Sequence, residues 1–111
     1  MIQGYMKKRT SEKSFLKKNE YLTRYFVLDI QQALFKFAAA PNLKGKVVHF
    51  RDIKHLRIDH PDKDPFADKD FPYAFVLECS TRNFYLGTPT RVEREMWING
   101  FKVLFDFREK T

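Results

Sequence analysis

The chain has 111 residues, 43% of them hydrophobic and 16% aromatic, which predicts one globular domain with a packed core and excludes a disordered chain. Its net charge of +7 favours an anionic partner, such as an acidic membrane surface, nucleic acid or an acidic protein patch. Thirteen Lys or Arg but only four acidic residues fall within residues 1–58, so we expect the anion to meet the first half of the chain.

The first half of the chain is predicted to form five short β-strands. In residues 21–29, Leu22, Phe26 and Leu28 alternate with side chains of the opposite face, which is the period of a strand. Polar or Gly- and Pro-containing segments separate the strands, as turns require. The predicted strands are residues 2–9, 21–29, 33–38, 46–50 and 53–58, with connections at 10–20, 29–32 and 39–45.

The second half is predicted to add two strands and one helix. Residues 59–72 hold three prolines and five aspartates and read as a long loop, and strands follow at 73–79 and 82–86. A helix start signal at 88–93 then precedes apolar residues at helical spacing in 91–107, among them Trp97. Gly100 weakens this helix slightly, and a close approach of the helix to the sheet would explain a glycine here. A curled antiparallel sheet plugged by the helix satisfies this order.

This order of elements resembles a pleckstrin-homology (PH) domain over nearly the whole chain. The resemblance implies a single domain, 1–111, that is mainly β: a seven-stranded antiparallel barrel or sandwich capped by one C-terminal α-helix. No single motif is decisive, but together their order and spacing are fairly specific. The residues that carry it are 4–8 (GYMKK), 24–28 (RYFVL), 33–37 (ALFKF), 44–48 (KGKVV), 84–86 (FYL) and Trp97.

Many members of this family bind phosphoinositide headgroups at the open mouth of the barrel. The resemblance implies a basic residue in the first strand, matched by Lys8, and a basic-x-Arg pair in the second strand, whose arginine is Arg24. Leu22 stands where the pair has its first basic residue, so one phosphate ligand is missing. Lys36 and Lys44 resemble further headgroup contacts.

The residues themselves support part of this assignment. Arg24 shares a strand face with Phe26 and Leu28, and a buried, unpaired guanidinium is costly, so Arg24 is expected at the mouth or beside a carboxylate. In the loop at 10–20, the apolar pair 15–16 either dips into a membrane interface or folds back on the barrel. The lysines around this pair, which assist the predicted site, are Lys13, Lys17 and Lys18.

We therefore predict a non-enzymatic module that binds phosphoinositide or another anionic phospholipid and targets a membrane. The alternative is a protein-binding adaptor of the same fold with weak or no lipid binding, which the missing cation at Leu22 favours. Nucleic acid is not the expected partner, because the aromatic residues are better used in the core. The predicted headgroup residues are Lys8, Arg24, Lys36 and Lys44, assisted by Lys13, Lys17 and Lys18.

Other kinds of site find little support in the sequence. His49, His55 and His60 have no tight metal-ligand spacing, and the aspartates of 59–72 lack the glycine and glutamate of a calcium loop. Catalytic glycine motifs are missing, and no cofactor is expected. Cys79 is the only cysteine, which excludes an internal disulfide and fits a reducing compartment. Its thiol is expected to be inert. Without an apolar span or secretory signal, we expect a cytoplasmic, peripheral membrane protein.

Overall fold

The computed structural model describes residues 1–9, 21–58 and 69–109 of the chain. In these ranges the chain forms antiparallel strands followed by one helix, as the sequence predicts. The strands are β1 (Ile2–Arg9), β2 (Tyr21–Asp29), β3 (Leu34–Ala38), β4 (Lys46–His49), β5 (Ile53–Arg57), β6 (Tyr73–Cys79) and β7 (Asn83–Thr88), and the helix is α1 (Arg91–Glu109).

The described strands belong to one curled sheet in the order β4-β3-β2-β1-β7-β6-β5. Its edge strands β4 and β5 are joined only by a short 3-10 turn, Phe50–Asp52, so the two edges lie no more than roughly 14 Å apart at this point. The sheet must therefore curl on itself into a half-barrel. The sequence pattern extends the fourth strand to Phe50, but this residue begins the turn and packs its ring 5.5 Å from that of Phe105.

The strand register decides which side chains face the inside of the half-barrel. Directly paired residues on antiparallel strands point to the same face of a sheet. Met6 and Phe26 are fully buried, Met6 is paired with Arg24, and Lys8 is paired with Leu22. Lys8 and Arg24 therefore lie on the inner face, two residues beyond buried neighbours and close to the ends of their strands.

Helix α1 closes one end of the half-barrel with aromatic side chains. The ring of Phe35 is stacked on Phe26 at 5.5 Å, and it meets Phe101 at 5.1 Å and Trp97 at 6.3 Å edge to face. Edge-to-face pairs add to the gain from area burial. Trp97 is only 1% exposed, which confirms its predicted place in the core.

The helix approaches the sheet most closely at Gly100. A Cβ atom at this position would meet the side chain of Ile2 and would lie 3.0 Å from Leu28 Cδ2. The predicted close approach is thus confirmed, and it places the helix against the first residue of β1. Thr90 caps the helix by accepting a hydrogen bond from the backbone N–H of Glu93 at 3.2 Å.

Candidate anion-binding site at the open end of the barrel

A basic pocket lies at the end of the half-barrel that α1 leaves open. The helix packs on Ile2, whereas Lys8 lies six residues further along β1, which corresponds to roughly 20 Å of strand. The pocket has a volume of about 300 Å³. Its lining combines strand ends with the β3–β4 loop (residues 39–45): Lys8, Leu22, Arg24, Phe37, Ala38, Ala39, Lys44, Gly45 and Lys46.

Lys8 is a partly buried cation of this pocket. Its ammonium nitrogen lies 5.4 Å from the ring centroid of Phe37 and 5.9 Å from that of Phe84, both of which are buried. Burial lowers the pKa of Lys8 below its usual 10.5, and the positive charges of Arg82, Lys46 and Arg24 lower it further. Lys8 therefore lies in a partly buried setting, and nearby cations oppose its charge further.

Arg24 lies at the mouth of the barrel, which is one of the two positions that the cost of burying an arginine allows. Its Nη1 atom donates a hydrogen bond to the backbone carbonyl of Thr23 at 2.8 Å, which fixes the guanidinium near the strand end. An arginine has five N–H donors, so donors remain for a ligand. Among the described residues, no carboxylate forms an ion pair with Arg24, Lys8 or Lys46.

Two cations of this cluster are missing from the sequence-based assignment. Lys46 is the first residue of β4 and is paired with the buried Phe37, so it faces the inside. Arg82 precedes β7, and its guanidinium carbon lies 4.4 Å above the ring of Phe84. Both positions depend on which strands become neighbours in the sheet. The place of Lys46 at the start of a predicted strand is a signal in the sequence that points to a pocket position.

The remaining predicted site residues fall into three groups. Lys44 lines the basic pocket together with Lys8 and Arg24. Lys36 is paired with Val27 and Val47 and lies on the outer face of the sheet, away from the pocket. The lysines of the β1–β2 connection lie outside the described residues: Lys13, Lys17 and Lys18.

Leu22 gives the pocket an apolar wall next to Lys8, its partner on β1. The second strand therefore contributes one cation to the pocket instead of two. Together with Arg24, Lys46 and Arg82 are the three cations that act on Lys8. Cations from other parts of the sheet thus take the place of the basic residue that is missing at Leu22.

The described part of the chain has neither a metal-ligand cluster nor an activated thiol. It contains no group of three side chains that could hold a metal ion. Burial and the nearby Asp52 raise the pKa of the Cys79 thiol to about 11, although Arg82 opposes this rise. A thiol with such a pKa is almost entirely protonated at neutral pH and is a poor nucleophile. No described helix is both long enough and apolar enough to cross a bilayer.

Comparisons with known proteins agree with this architecture. The family model of the PH domain matches residues 1–104. A Vav1 chain, from a structure of Vav1 inhibited by an allosteric inhibitor, is similar with a TM-score of 0.65 and 16% identity, over 94% of this chain and 18% of that chain. At this identity the likeness shows the fold alone. No curated protein sequence matches significantly. Because the family model covers nearly the whole length, the chain belongs to the PH domain family.

Proposed function

We propose that this PH domain is a non-enzymatic module that binds the phosphorylated headgroup of a phosphoinositide, or of another anionic phospholipid, and holds its protein at a cytoplasmic membrane surface. One observation carries the proposal. Lys8 lies in a pocket with Arg24, Lys44 and Lys46, with Arg82 close by, and no described carboxylate pairs with Lys8, Arg24 or Lys46.

The chemistry of these side chains matches a phosphate ligand. A guanidinium binds phosphate through two parallel hydrogen bonds, whereas an ammonium group acts as a compact point charge. Arg24 supplies the first kind of contact, and Lys8 and Lys46 supply the second. The volume of about 300 Å³ is at the lower end of the range for small-ligand sites, which fits a headgroup better than a whole lipid.

The electrostatics of the basic pocket also favour an anion. Burial lowers the pKa of Lys8, and repulsion from the positive charges of Arg82, Lys46 and Arg24 lowers it further. A bound phosphate offsets this repulsion between the cations of the folded domain. Part of the binding free energy therefore comes from reducing that repulsion.

Vesicle sedimentation tests this function. We expect the domain to pellet with phosphatidylcholine vesicles that contain a phosphoinositide and to stay in solution with phosphatidylcholine alone. The double variant Lys8→Ala/Arg24→Ala should lose most of this binding. Lys54→Ala/Lys102→Ala removes the same charge from β5 and the exposed side of α1, and it should bind like the wild type. Equal pelleting of the two double variants would contradict the assigned pocket.

Protein binding is a second candidate function, and Leu22 is the observation that favours it. An apolar wall beside Lys8 suits an acidic side chain that has an apolar neighbour. This candidate predicts no dependence on acidic lipid in the sedimentation assay. It further predicts a protein partner whose binding is lost in Arg24→Ala.

A further inference from the structure

Helix α1 carries a second apolar face, on the side that points away from the barrel. Its inner face contributes Trp97, Phe101 and Leu104 to the core. One such face is enough for a helix that covers a barrel, whereas contiguous exposed apolar side chains mark an interaction surface. The exposed apolar residues of α1 are Val92 (78%), Met96 (41%), Val103 (49%) and Phe107 (69%).

These residues form one stripe along the helix. They follow one another after four, seven and four residues, and the exposed Asn99 lies between Met96 and Val103. Steps of three and four residues keep side chains on the same side of a helix, as in the seam of a coiled coil. The stripe therefore runs along roughly 23 Å of α1.

The stripe is symmetric about its centre. Val92 lies as far before the centre as Phe107 lies after it. Met96 and Val103 share the same midpoint, between Asn99 and Gly100. When a second α1 packs on the stripe in the opposite direction, Val92 therefore meets Phe107 of the second copy, and Met96 meets its Val103. Two-fold symmetry makes each of these contacts twice.

The charges along one edge of the stripe have the same symmetry with opposite signs. In chain order these exposed residues are Arg91, Glu95, Lys102 and Asp106. Arg91 and Asp106 share a midpoint with Glu95 and Lys102, one residue from the midpoint of the apolar pairs. In an antiparallel two-fold pair, each helix meets the same edge of the other. Glu95 thus faces Lys102 of the second copy, and Arg91 faces its Asp106.

The same charges are not used within the chain. Among the described residues, no ion pair or side-chain hydrogen bond involves Arg91, Glu95, Lys102 or Asp106. A parallel pair of helices would bring Glu95 towards Glu93 of the second copy and leave Lys102 without an opposite charge. The order of the charges therefore selects an antiparallel copy of this helix.

We propose that the exposed face of α1, residues 91–107, binds the same face of a second copy and forms an antiparallel two-fold dimer. Asn99 of each copy lies near the axis, where one side-chain amide can donate a hydrogen bond to the other. A polar residue within an apolar seam fixes the register at a cost in stability. A single pair of helices is a small interface, so the dimer is weak and forms at high concentration.

Sedimentation velocity over a range of concentrations tests the dimer. The wild type should move from the monomer towards the dimer value as its concentration rises, whereas Met96→Ser/Val103→Ser should stay monomeric. Leu43→Ser/Val47→Ser removes two apolar side chains of similar exposure from β4 and the loop before it, and it should dimerise like the wild type. A wild type that is monomeric at millimolar concentration, or equal self-association of the two variants, would overturn the proposal.

Charge reversal tests the direction of the helices and the identity of the partner. In Glu95→Lys the new cation faces Lys102 of the second copy, and in Lys102→Glu the new anion faces Glu95. Each variant alone should self-associate about tenfold more weakly. An equimolar mixture of the two has opposite charges at both pairs and should form heterodimers. The double variant Glu95→Lys/Lys102→Glu should dimerise like the wild type.

The recovery in the mixture is the decisive result, because a partner other than a second copy does not produce it. Circular dichroism of Glu95→Lys and Lys102→Glu should show the helix content of the wild type. Single variants that dimerise like the wild type, or a mixture that stays monomeric, would exclude the antiparallel arrangement.

The dimer interface and the basic pocket lie at opposite ends of the domain, because α1 closes the end away from Lys8. The two pockets of a dimer therefore face away from each other. Under the proposed function, each vesicle meets one pocket, and a dimer links two vesicles. Glu95→Lys should thus pellet with phosphoinositide vesicles like the wild type but cluster them less, as light scattering measures.

The dimer itself does not depend on the proposed function. If the wild type dimerises but binds no vesicles, the headgroup function fails and the interface stands. If Glu95→Lys loses pelleting together with clustering, α1 lies at the membrane, and that result would contradict an interface on the far side of the domain.

Discussion

The ammonium group of Lys8 lies 5.4 Å from the ring centroid of Phe37, which is buried. Both side chains lie on the inner face of the sheet. The two residues sit at the boundary between the core and the basic pocket. Burial and three neighbouring cations lower the pKa of Lys8, so the folded domain holds this charge at a cost. The charge on Lys8 therefore lowers the stability of the fold, and the same charge suits the pocket to an anion.

Replacing Lys8 by Met should therefore raise the melting temperature of the ligand-free domain at pH 7 and abolish headgroup binding. Methionine has a similar length, keeps contacts with the rings of Phe37 and Phe84, and removes the repulsion. Thermal unfolding and inositol phosphate titration on the same preparations check both halves. A lower melting temperature, or unchanged binding, would contradict the role given to Lys8.

The same pKa shift predicts how stability depends on pH. Because the pKa of Lys8 is lowered in the folded state, the unfolded chain binds more protons between the lowered value and 10.5. The contribution of Lys8 to stability therefore rises with pH through that window. In Lys8→Met this contribution is missing, so its stability advantage should shrink as the pH is raised from 7 towards 10. A constant difference in melting temperature would argue against the shift.

Ligand binding should show the opposite trend. The phosphate favours charged Lys8, so headgroup affinity falls as the pH rises through the lowered pKa and the lysine loses its proton. Lys8→Arg stays charged throughout, so its affinity should change less between pH 7 and pH 10. Calorimetric titration of both proteins at the two pH values makes the comparison, and parallel losses would exclude Lys8 as the titrating group.

Gly45, which lines the basic pocket, and Gly4, which does not, form a matched pair for testing the pocket wall. Alanine at Gly45 brings its Cβ onto the carbonyl of Phe37 and within 2.7 Å of Ala38 Cβ, so the backbone must move. We expect a loss of about 1–3 kcal/mol in the free energy of unfolding, as for overpacked sites, and weaker headgroup binding. Alanine at Gly4 meets nothing within 4 Å and should be neutral or stabilising by about 0.4–1 kcal/mol. Urea unfolding of both variants distinguishes them.

Cys79 should react slowly with thiol reagents in the folded protein. Its pKa of about 11 leaves little thiolate at pH 8, and burial of the side chain and Asp52 are the main causes. In urea the thiol returns to an ordinary pKa, and its reaction with Ellman's reagent should accelerate by at least tenfold. Similar rates in native and unfolded protein would show that the thiol is accessible and ionised.

Local sequence patterns predict each described strand and the helix, with several strand ends misplaced by one or two residues, and they predict much of the core. Alternation in residues 21–29 and helical spacing around Trp97 depend only on near neighbours in the chain, and both predictions are confirmed. The same alternation contained the orientation of Lys36, because it stands between the inward-facing Phe35 and Phe37. The family resemblance grouped Lys36 with the pocket residues, whereas strand period separates them.

The composition of the pocket was harder to predict, because it depends on long-range contacts. Arg82 reaches Lys8 only because β7 pairs with β1, across more than seventy residues of sequence. Lys46 faces inwards only because its register matches it to Phe37. The register and the order of neighbouring strands depend on how the whole sheet curls. Short sequence motifs therefore do not predict them.

The central claim is that cations from β1, β2, β4 and the β6–β7 turn form one headgroup pocket, and titration of the ¹⁵N-labelled domain with a soluble inositol trisphosphate tests it most directly. We predict shifts of the backbone amides of Lys8, Arg24, Lys46 and Arg82, with an affinity that falls roughly tenfold or more in Arg24→Ala. No shifts at saturating ligand, or shifts confined to β5 and the end of α1, would contradict the account.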